Sequence, residues 1–426
     1  MSDPVIALLD ANAFYASVAV AVEPSLRGRP VVVAGDPHTR HGIVLSASYE
    51  ARRLARGKVR AGMPLAQALR LLPRDVVVVP PDYRLYTDYS RRMFAIMRRF
   101  TPVVEVASID EGWMDWTGCL HFHGGDPVRM ALALKAAIRK ELGILVSVGV
   151  AWSRVTAKMA AELEKPDGLT VLAPPDWPVR VWPLPVGELY GVGPRTVPKL
   201  EQMGIRTIGD LAGADPAVLR RRFGAFGEYM RAAALGQDGG RVDPQAGDEV
   251  KSISHSLTLP ADAGDWVEQK AVLLSLADQV GRRLRKSGLM GRTVTLTIRD
   301  GRFRTITRAR TLPRPTDLTE EIYGAAARLL EAHWPDGRPV RLLGVGVSQL
   351  VPAAEAYGQL TLFDEPDRVV RRRRADLAAD ALRDRFGEEA VMRGGQLLSR
   401  RGRRLLDKRA HGTSLQKDAL RRHDDG

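Results

Sequence analysis

Two adjacent carboxylates, Asp110 and Glu111, sit at a bend between two apolar runs in VVEVASIDEGWMDWTG, residues 103–118. Neighbouring ionised carboxylates repel each other and resist desolvation, so keeping both calls for positive charge nearby. A third acid, Asp10, directly follows the apolar run VIALL at residues 5–9, at the end of a predicted strand. Strand ends far apart in sequence can meet in one sheet. Three acids converging there would bind hard divalent cations, chiefly Mg²⁺, which prefers carboxylates together with substrate phosphates. Two such ions can activate an attacking oxygen and stabilise the leaving one. The plain alternative is a solvated hairpin, since Asp and Gly are ordinary turn residues.

Candidate phosphate binders lie elsewhere. SYEARRLARGKVRAGMPL, residues 48–65, puts Tyr49, Arg52, Arg53 and Arg56 on one predicted helical segment. Spacings of three and four place Tyr49, Arg52 and Arg56 on one face, and an Arg fork with a phenol suits phosphate oxygens. A solvated basic helix face is the alternative. Lys165 precedes Pro166 in ELEKPDG at a predicted helix end, where an ammonium projects naturally or serves as an ordinary C-terminal lysine. In LYGVGPRTVPKL, residues 189–200, Gly191 and Gly193 permit a helix-hairpin-helix turn whose N–H groups could cradle a DNA phosphate. Taken alone, the same G-x-G reads as a turn of a helical domain. GRFRTITRART carries Arg302, Arg304, Arg308 and Arg310 at even spacing, which predicts four like charges on one sheet face without a compensating acid, a surface suited to DNA phosphates where a solvated sheet face would mix its charges. In a polar linker, AYGQLTLFDEPD offers Gln359, Leu360, Leu362 and Phe363, apolar anchors suited to a partner's groove or to a strand packed on its own domain.

These residues need several domains to position them. A chain of 426 residues exceeds one core and predicts roughly two to four domains. Hydrophobic residues make up 45%, enough for those cores; Lys plus Arg number 64 against 50 acids, a net +14 with pI near 10.1. That excess favours a polyanionic partner, nucleic acid first. No run approaches the ~18 apolar residues of a membrane span, and the first residues lack a signal peptide's basic region. The single cysteine, Cys119, excludes an internal disulfide and a Cys-cluster zinc site, which fits a reducing cytoplasm.

Strands and helices alternate up to about residue 173, including PVVVAG, DVVVVP, a long amphipathic helix at DYRLYTDYSRRMFAIMRRF, a helix over 127–142 and the strand LVSVGVAW. This predicts a mixed α/β layer. Residues 174–245 turn helical with short Gly/Pro-punctuated segments, and 250–352 read as βαββαβ with one open sheet face. A polar linker, a helix-prone stretch at 375–386 and a basic tail low in apolar residues follow.

In order along the chain, LLDANAFYASV, ASYEARRLARG, ASIDEGWMD and VGVAWSRVTAKMAAELEKPDG resemble the signature blocks of Y-family DNA polymerases of the bacterial DNA polymerase IV type. With YGVGPRTVPKLEQMGI and the βαββαβ segment, the resemblance covers about residues 5–352. It implies an α+β multidomain fold: a palm with a mixed α/β sheet at 1–23 and 81–173, small fingers at 24–80, a helix-hairpin-helix thumb at 174–245 and a little finger at 246–352. Residues 353–426 are then linker, clamp-binding peptide and basic tail. The implied activity is template-directed, low-fidelity translesion DNA synthesis. By the same resemblance Asp10, Asp110 and the Ala11 carbonyl fall on metal-ligand positions, with Glu111 as the catalytic glutamate beside them. The implied cofactor is two Mg²⁺ ions, with Mn²⁺ as a substitute. Tyr15 falls on the steric gate, Tyr49, Arg52 and Lys165 on triphosphate positions, Gly191 and Gly193 on the DNA-tracking thumb, and Gln359, Leu360, Leu362 and Phe363 on a peptide for the sliding clamp. Primer-template DNA, deoxynucleoside triphosphates and the clamp are the implied partners of a cytoplasmic monomer. Asn12 departs from the family's usual Asp, and Ala19 from an acid common at its position. The rivals are a Y-family adaptor without catalysis and a metal-dependent repair nuclease. The three acids argue against the first, and the nuclease would need neither Tyr15 nor the triphosphate set.

Overall fold

A computed structural model of the chain describes residues 4–35, 42–246, 250–356, 366–387 and 390–397, in two compact units that part after Ala246. The first unit opens with β1 (Ile6–Ala11), α1 (Phe14–Val22), β2 (Val31–Ala34), β3 (Val44–Ala47), α2 (Tyr49–Leu54), α3 (Leu65–Leu71) and β4 (Val77–Val79). It continues with α4 (Tyr83–Arg98), β5 (Val104–Val106), β6 (Glu111–Asp115), α5 (Pro127–Leu142), β7 (Val146–Ala151), α6 (Arg154–Leu163) and β8 (Leu169–Val171). Five short helices complete it: α7 (Asp176–Arg180), α8 (Val197–Glu201), α9 (Ile208–Gly213), α10 (Pro216–Phe223) and α11 (Ala225–Ala234).

Six consecutive buried residues make β1 the middle of a five-stranded sheet, β5-β6-β1-β7-β8. A strand covered on both faces loses the apolar/polar alternation of a half-exposed one. Ala7, Leu9 and Ala11 face a core made with α1, α4 and α5. Ile6 and Leu8 face the opposite way, toward α6 and the helical segment beyond it. Gly149 on β7 lets α6 lie directly on the sheet, since a Cβ there would stand 2.2 Å from the Ala161 nitrogen. The Ser153–Thr156 capping box starts that helix. A separate three-stranded sheet, β3-β2-β4, packs against α2 and α3 through Val32, Val44, Ala51 and Leu65.

The second unit contains β9 (Ser252–Ala263), α12 (Trp266–Lys286), β10 (Leu289–Arg299), β11 (Thr305–Thr316), α13 (Thr319–His333), β12 (Val340–Pro352), α14 (Pro366–Phe386) and α15 (Gly394–Leu397). Its antiparallel sheet, ordered β11-β10-β12-β9, buries Val294, Leu296, Ile298, Val345 and Val347 under α12 and α13. Ser252, Ser254, Ser256, Thr295, Thr297, Gly344, Gly346 and Ser348 line a hollow on the other face, the open sheet face that the βαββαβ pattern predicts.

Two expectations need correction here. Arg302, Arg304, Arg308 and Arg310 do not share a strand face. Arg302 and Arg304 lie in the turn before β11, where their backbone N–H groups both donate to Asp300 Oδ1. Asp300 also pairs with Arg338 at 3.3 Å, so an acid does stand among these arginines. Arg308 and Arg310 do share a side, but register pairs them with Leu296 and Val294, whose side chains face the helices. β11 is the sheet's edge, so both arginines remain exposed there, off the open face. The second correction is α14, which begins at Pro366, well before the 375–386 stretch. Its buried positions are Asp376, Asp380 and Arg383 while Leu377, Leu382 and Phe386 are exposed, so apolar periodicity gives a poor signal.

Candidate functional site

Pairing of β1 with β6 sets Asp10 directly opposite Glu111, two registers on from Leu8 opposite Trp113. Opposed residues of an antiparallel pair project to the same face. Both carboxylates therefore lie on the α6 side of the sheet, and Lys158 of α6 reaches them: its Nζ is 2.9 Å from Asp10 Oδ2 and 2.5 Å from Glu111 Oε2. A third acid on the same helix, Glu162, meets Lys158 at 2.9 Å. Asp10 lies within β1, which runs two residues past VIALL.

Asp110 stands one step away. Its carbonyl accepts from the Ala11 N–H at 2.9 Å, and its carboxylate accepts from the Ser108 hydroxyl at 2.5 Å. Burial, with the negative charge of Asp10, raises the Asp110 carboxyl above its ordinary range despite the Ser108 bond. Burial opposes ionisation of Asp10 as well, but the ammonium groups of Lys158 and Lys165 outweigh it and hold that carboxyl low. Burial also wins at Glu111, which is raised although Lys158 bonds to it. Desolvation works against the charge on Lys158, yet Asp10 and Glu111 raise its pKa well above the usual lysine value.

Lys165 is brought to the same point. α6 ends at Leu163, and Lys165 lies in the following loop with its Nζ 2.8 Å from Asp10 Oδ2 and 2.8 Å from Glu162 Oε1. Asn12 pins this loop: its Nδ2 donates to Ser147 Oγ at 3.0 Å, and its Oδ1 accepts from the Asp167 backbone N–H at 2.6 Å. Tyr49 and Arg52 share a face of α2 as predicted, the guanidinium lying 5.0 Å from the ring centroid and its Nε donating to the Ala47 carbonyl. Tyr49 is close enough for its phenol to feel the charges of Lys165, Asp10 and Glu162, though burial dominates and raises its pKa. Arg56 does not continue that face. The helix ends at Leu54, and Arg56 has a positive φ of 51° in the turn beyond.

Tyr15 projects from α1, whose preceding residue Ala13 takes a left-handed φ of 47° to turn the chain sharply out of β1. Its ring stacks on Tyr86 at 4.3 Å and meets Tyr83 edge-on at 6.2 Å. Burial, then Tyr83 and Asp110, pushes its hydroxyl far above the ordinary range, so the phenol stays neutral. In the helical segment, Gly191 has φ of 94° and an added Cβ would meet the Tyr229 ring at 3.4 Å, while Gly193 lies beside α8 and accepts from the Thr196 N–H. Gln359, Leu360, Leu362 and Phe363 lie outside the described residues.

Lys158, Ser108 and Glu162 were not predicted. Lys158 carries a faint signal, a lone charge between Ala157 and Met159 on the apolar side of α6. Among the described residues no three His, Cys, Asp or Glu side chains are grouped closely enough to hold a metal ion as placed. The donors nonetheless fit one: carboxylate oxygens suit hard divalent cations, and positive charge already collects there, Lys158 bridging Asp10 and Glu111 while Lys165 meets the same Asp10 oxygen.

Comparison with known proteins agrees with this layout. Residues 9–162 match the impB/mucB/samB family, 174–205 the IMS family HHH motif, and 250–362 the impB/mucB/samB family C-terminal domain. DNA polymerase IV of Moorella thermoacetica is 50% identical over 396 residues, covering 93% of this chain and 97% of the relative. DNA polymerase IV 1 of Bacillus subtilis is 39% identical over 414 residues, 96% of each. A solved Y-family DNA polymerase chimera superimposes with TM-score 0.71 at 24% identity, covering 82% of this chain and 99% of its own, a likeness of fold. The chain belongs to the Y family of DNA polymerases. Its five-stranded sheet is the palm, the three-stranded sheet the fingers, the short helices the thumb, and the βαββαβ unit the little finger.

Proposed function

We propose that this chain extends a primer 3′ end by template-directed addition of deoxynucleotides, as a low-fidelity polymerase that copies past damaged bases. The observation that carries this reading is the opposition of Asp10 and Glu111 across β1 and β6, with Tyr15, Tyr49 and Lys165 at its margin. Asp10, Asp110, Glu111 and the Ala11 carbonyl would hold two Mg²⁺ ions, or Mn²⁺ in their place. Bound there, such ions lower the pKa of the attacking hydroxyl and stabilise charge on the transferring phosphoryl group. Tyr49, Arg52 and Lys165 orient the triphosphate, Arg52 as a fork and Lys165 as a point charge. Tyr15 forms the floor under the sugar. Gly191 and Gly193 let the thumb backbone approach a DNA phosphate, while Arg302, Arg304, Arg308 and Arg310 meet phosphates from a turn and a sheet edge.

The proposed boundaries are palm 1–23 and 81–173, fingers 24–80, thumb 174–245 and little finger 246–352. Gln359, Leu360, Leu362 and Phe363 are proposed to bind the sliding clamp of a monomeric, cytoplasmic enzyme. Among the described residues no helix is long and apolar enough to cross a membrane. A non-catalytic adaptor would not need the acids, and a nuclease would not need the triphosphate set.

Primer extension on damaged and undamaged templates tests the reading. Asp110→Ala or Glu111→Ala should lower extension by at least ~10³-fold, the scale of other electrostatic catalytic groups, while DNA binding persists. Near-normal extension by either folded variant overturns it.

A further inference from the structure

Lys158 is built into the acid cluster on a backbone that cannot easily shift. Its α-helical neighbours Ala157, Met159, Ala160 and Ala161 are all buried, and Gly149 brings the sheet against that helix without a side chain between them. The side chain is 11% exposed, and its ammonium contacts Asp10 and Glu111 at 2.9 and 2.5 Å. Those are the two carboxylates that face each other across the strands. A divalent cation held by them would need the same lone pairs and would repel the ammonium at close range. Glu162 offers the ammonium somewhere to go. It lies one turn along α6, is 45% exposed, and already meets Lys158 at 2.9 Å; the same oxygen meets Lys165 at 2.8 Å, and Lys165 also meets Asp10 Oδ2 at 2.8 Å, so Lys158 is the ammonium of the two that bridges Asp10 to Glu111.

We propose that Lys158 is a displaceable counter-ion: it holds Asp10 and Glu111 together, competes with divalent cations for them, and shifts to Glu162 alone when a cation binds. Lys158 is thus a positioning residue that sets how much divalent metal the site requires, an inference resting on the proposed metal role of the acids. Metal entry becomes an exchange of one cation for another, with the carboxylates kept in register throughout. A lysine stem has enough rotatable bonds for its head to move while the helix stays fixed.

The test is Mn²⁺ binding to the full chain without DNA or nucleotide, read by electron paramagnetic resonance of free Mn²⁺, together with melting temperature in EDTA and in Mn²⁺. Lys158→Met keeps the stem and removes the charge. It should tighten Mn²⁺ binding by on the order of tenfold, lower the melting temperature in EDTA, and enlarge the rise that Mn²⁺ produces. Glu162→Gln removes the negative charge that would hold the displaced ammonium and should weaken Mn²⁺ binding severalfold. Unchanged Mn²⁺ affinity in Lys158→Met would make the lysine merely structural, and weaker affinity would make it a supporter of the bound form; either overturns the proposal. Unchanged or tighter affinity in Glu162→Gln overturns the hand-off. Failure of the underlying reading looks different: Mn²⁺ binding to the parent chain that Asp10→Asn and Glu111→Gln leave intact.

Discussion

Tyr15 is held as a wall rather than as a mobile side chain. Tyr86 stacks on one side of it, Tyr83 stands edge-on, and Phe14 lies 5.7 Å away centre to centre. Discrimination by clash depends on such rigidity, because a ring that yields cannot exclude a 2′-hydroxyl. Tyr15→Ala should therefore raise ribonucleotide insertion strongly while deoxynucleotide insertion changes far less, and Tyr15→Phe should keep the discrimination. Single-nucleotide insertion rates with both sugar types check this, and an equal response of the two would remove Tyr15 from the gate. Asp110 and Glu111 stood out as adjacent acids at a bend and Asp10 as an acid at a strand end, whereas Tyr15 stood out only through the resemblance of the block LLDANAFYASV. Lys158 did not stand out, since a lysine in a helix ordinarily reads as solvated and its partners come from strands remote in sequence. Asn12 read only as a departure. In the fold its amide donates to Ser147 and accepts from the Asp167 N–H, so a neutral side chain ties the end of β1 to β7 and to the loop that carries Lys165.

At the scale of elements, α14 is docked by charge. Arg285 of α12, its side chain 1% exposed, contacts Asp380 at 2.7 Å and Asp376 at 3.2 Å, while Arg383 of α14 reaches back to Asp278 at 2.9 Å. Arg373 adds a contact to Asp317 at 2.8 Å. A buried ion pair contributes little relative to an apolar pair of the same shape, but removing one partner strands the other at a cost of ~3–5 kcal/mol. Arg285→Met should therefore loosen α14 from α12 and α13. Hydrogen exchange should rise across the described turns of α14 far more than across the four-stranded sheet, and an unchanged pattern would show that the ionic contacts do not hold the helix. The same chemistry explains what the sequence concealed. The helix over 127–142 and the first helix of the βαββαβ segment were legible because apolar residues face their cores, whereas α14 turns Asp376, Asp380 and Arg383 inward. For β11 the even spacing of Arg308 and Arg310 was informative about side but not about which side, which register alone decides.

On the scale of the whole molecule, a net charge of +14 should make DNA binding depend steeply on salt, because each phosphate neutralised releases counter-ions. Net charge does not say which residues do the neutralising, and many arginines here are already committed: Arg99 to Glu141, Arg154 to Glu105 and Asp238, and Arg285 to Asp376 and Asp380. Arg308 and Arg310 are exposed on the edge strand β11, where a rod-like polyanion can approach without entering the sheet's polar hollow. If both touch phosphates, Arg308→Ala with Arg310→Ala should weaken binding about equally for every duplex sequence. The slope of log affinity against log salt should become shallower by roughly 0.9 for each phosphate left without its arginine. Titrations of primer-template DNA at several salt concentrations measure it. An unaltered slope would leave the two arginines as solvated edge charges of the kind that keep sheet edges from pairing, and would move the phosphate contacts of the little finger to the turn that carries Arg302 and Arg304.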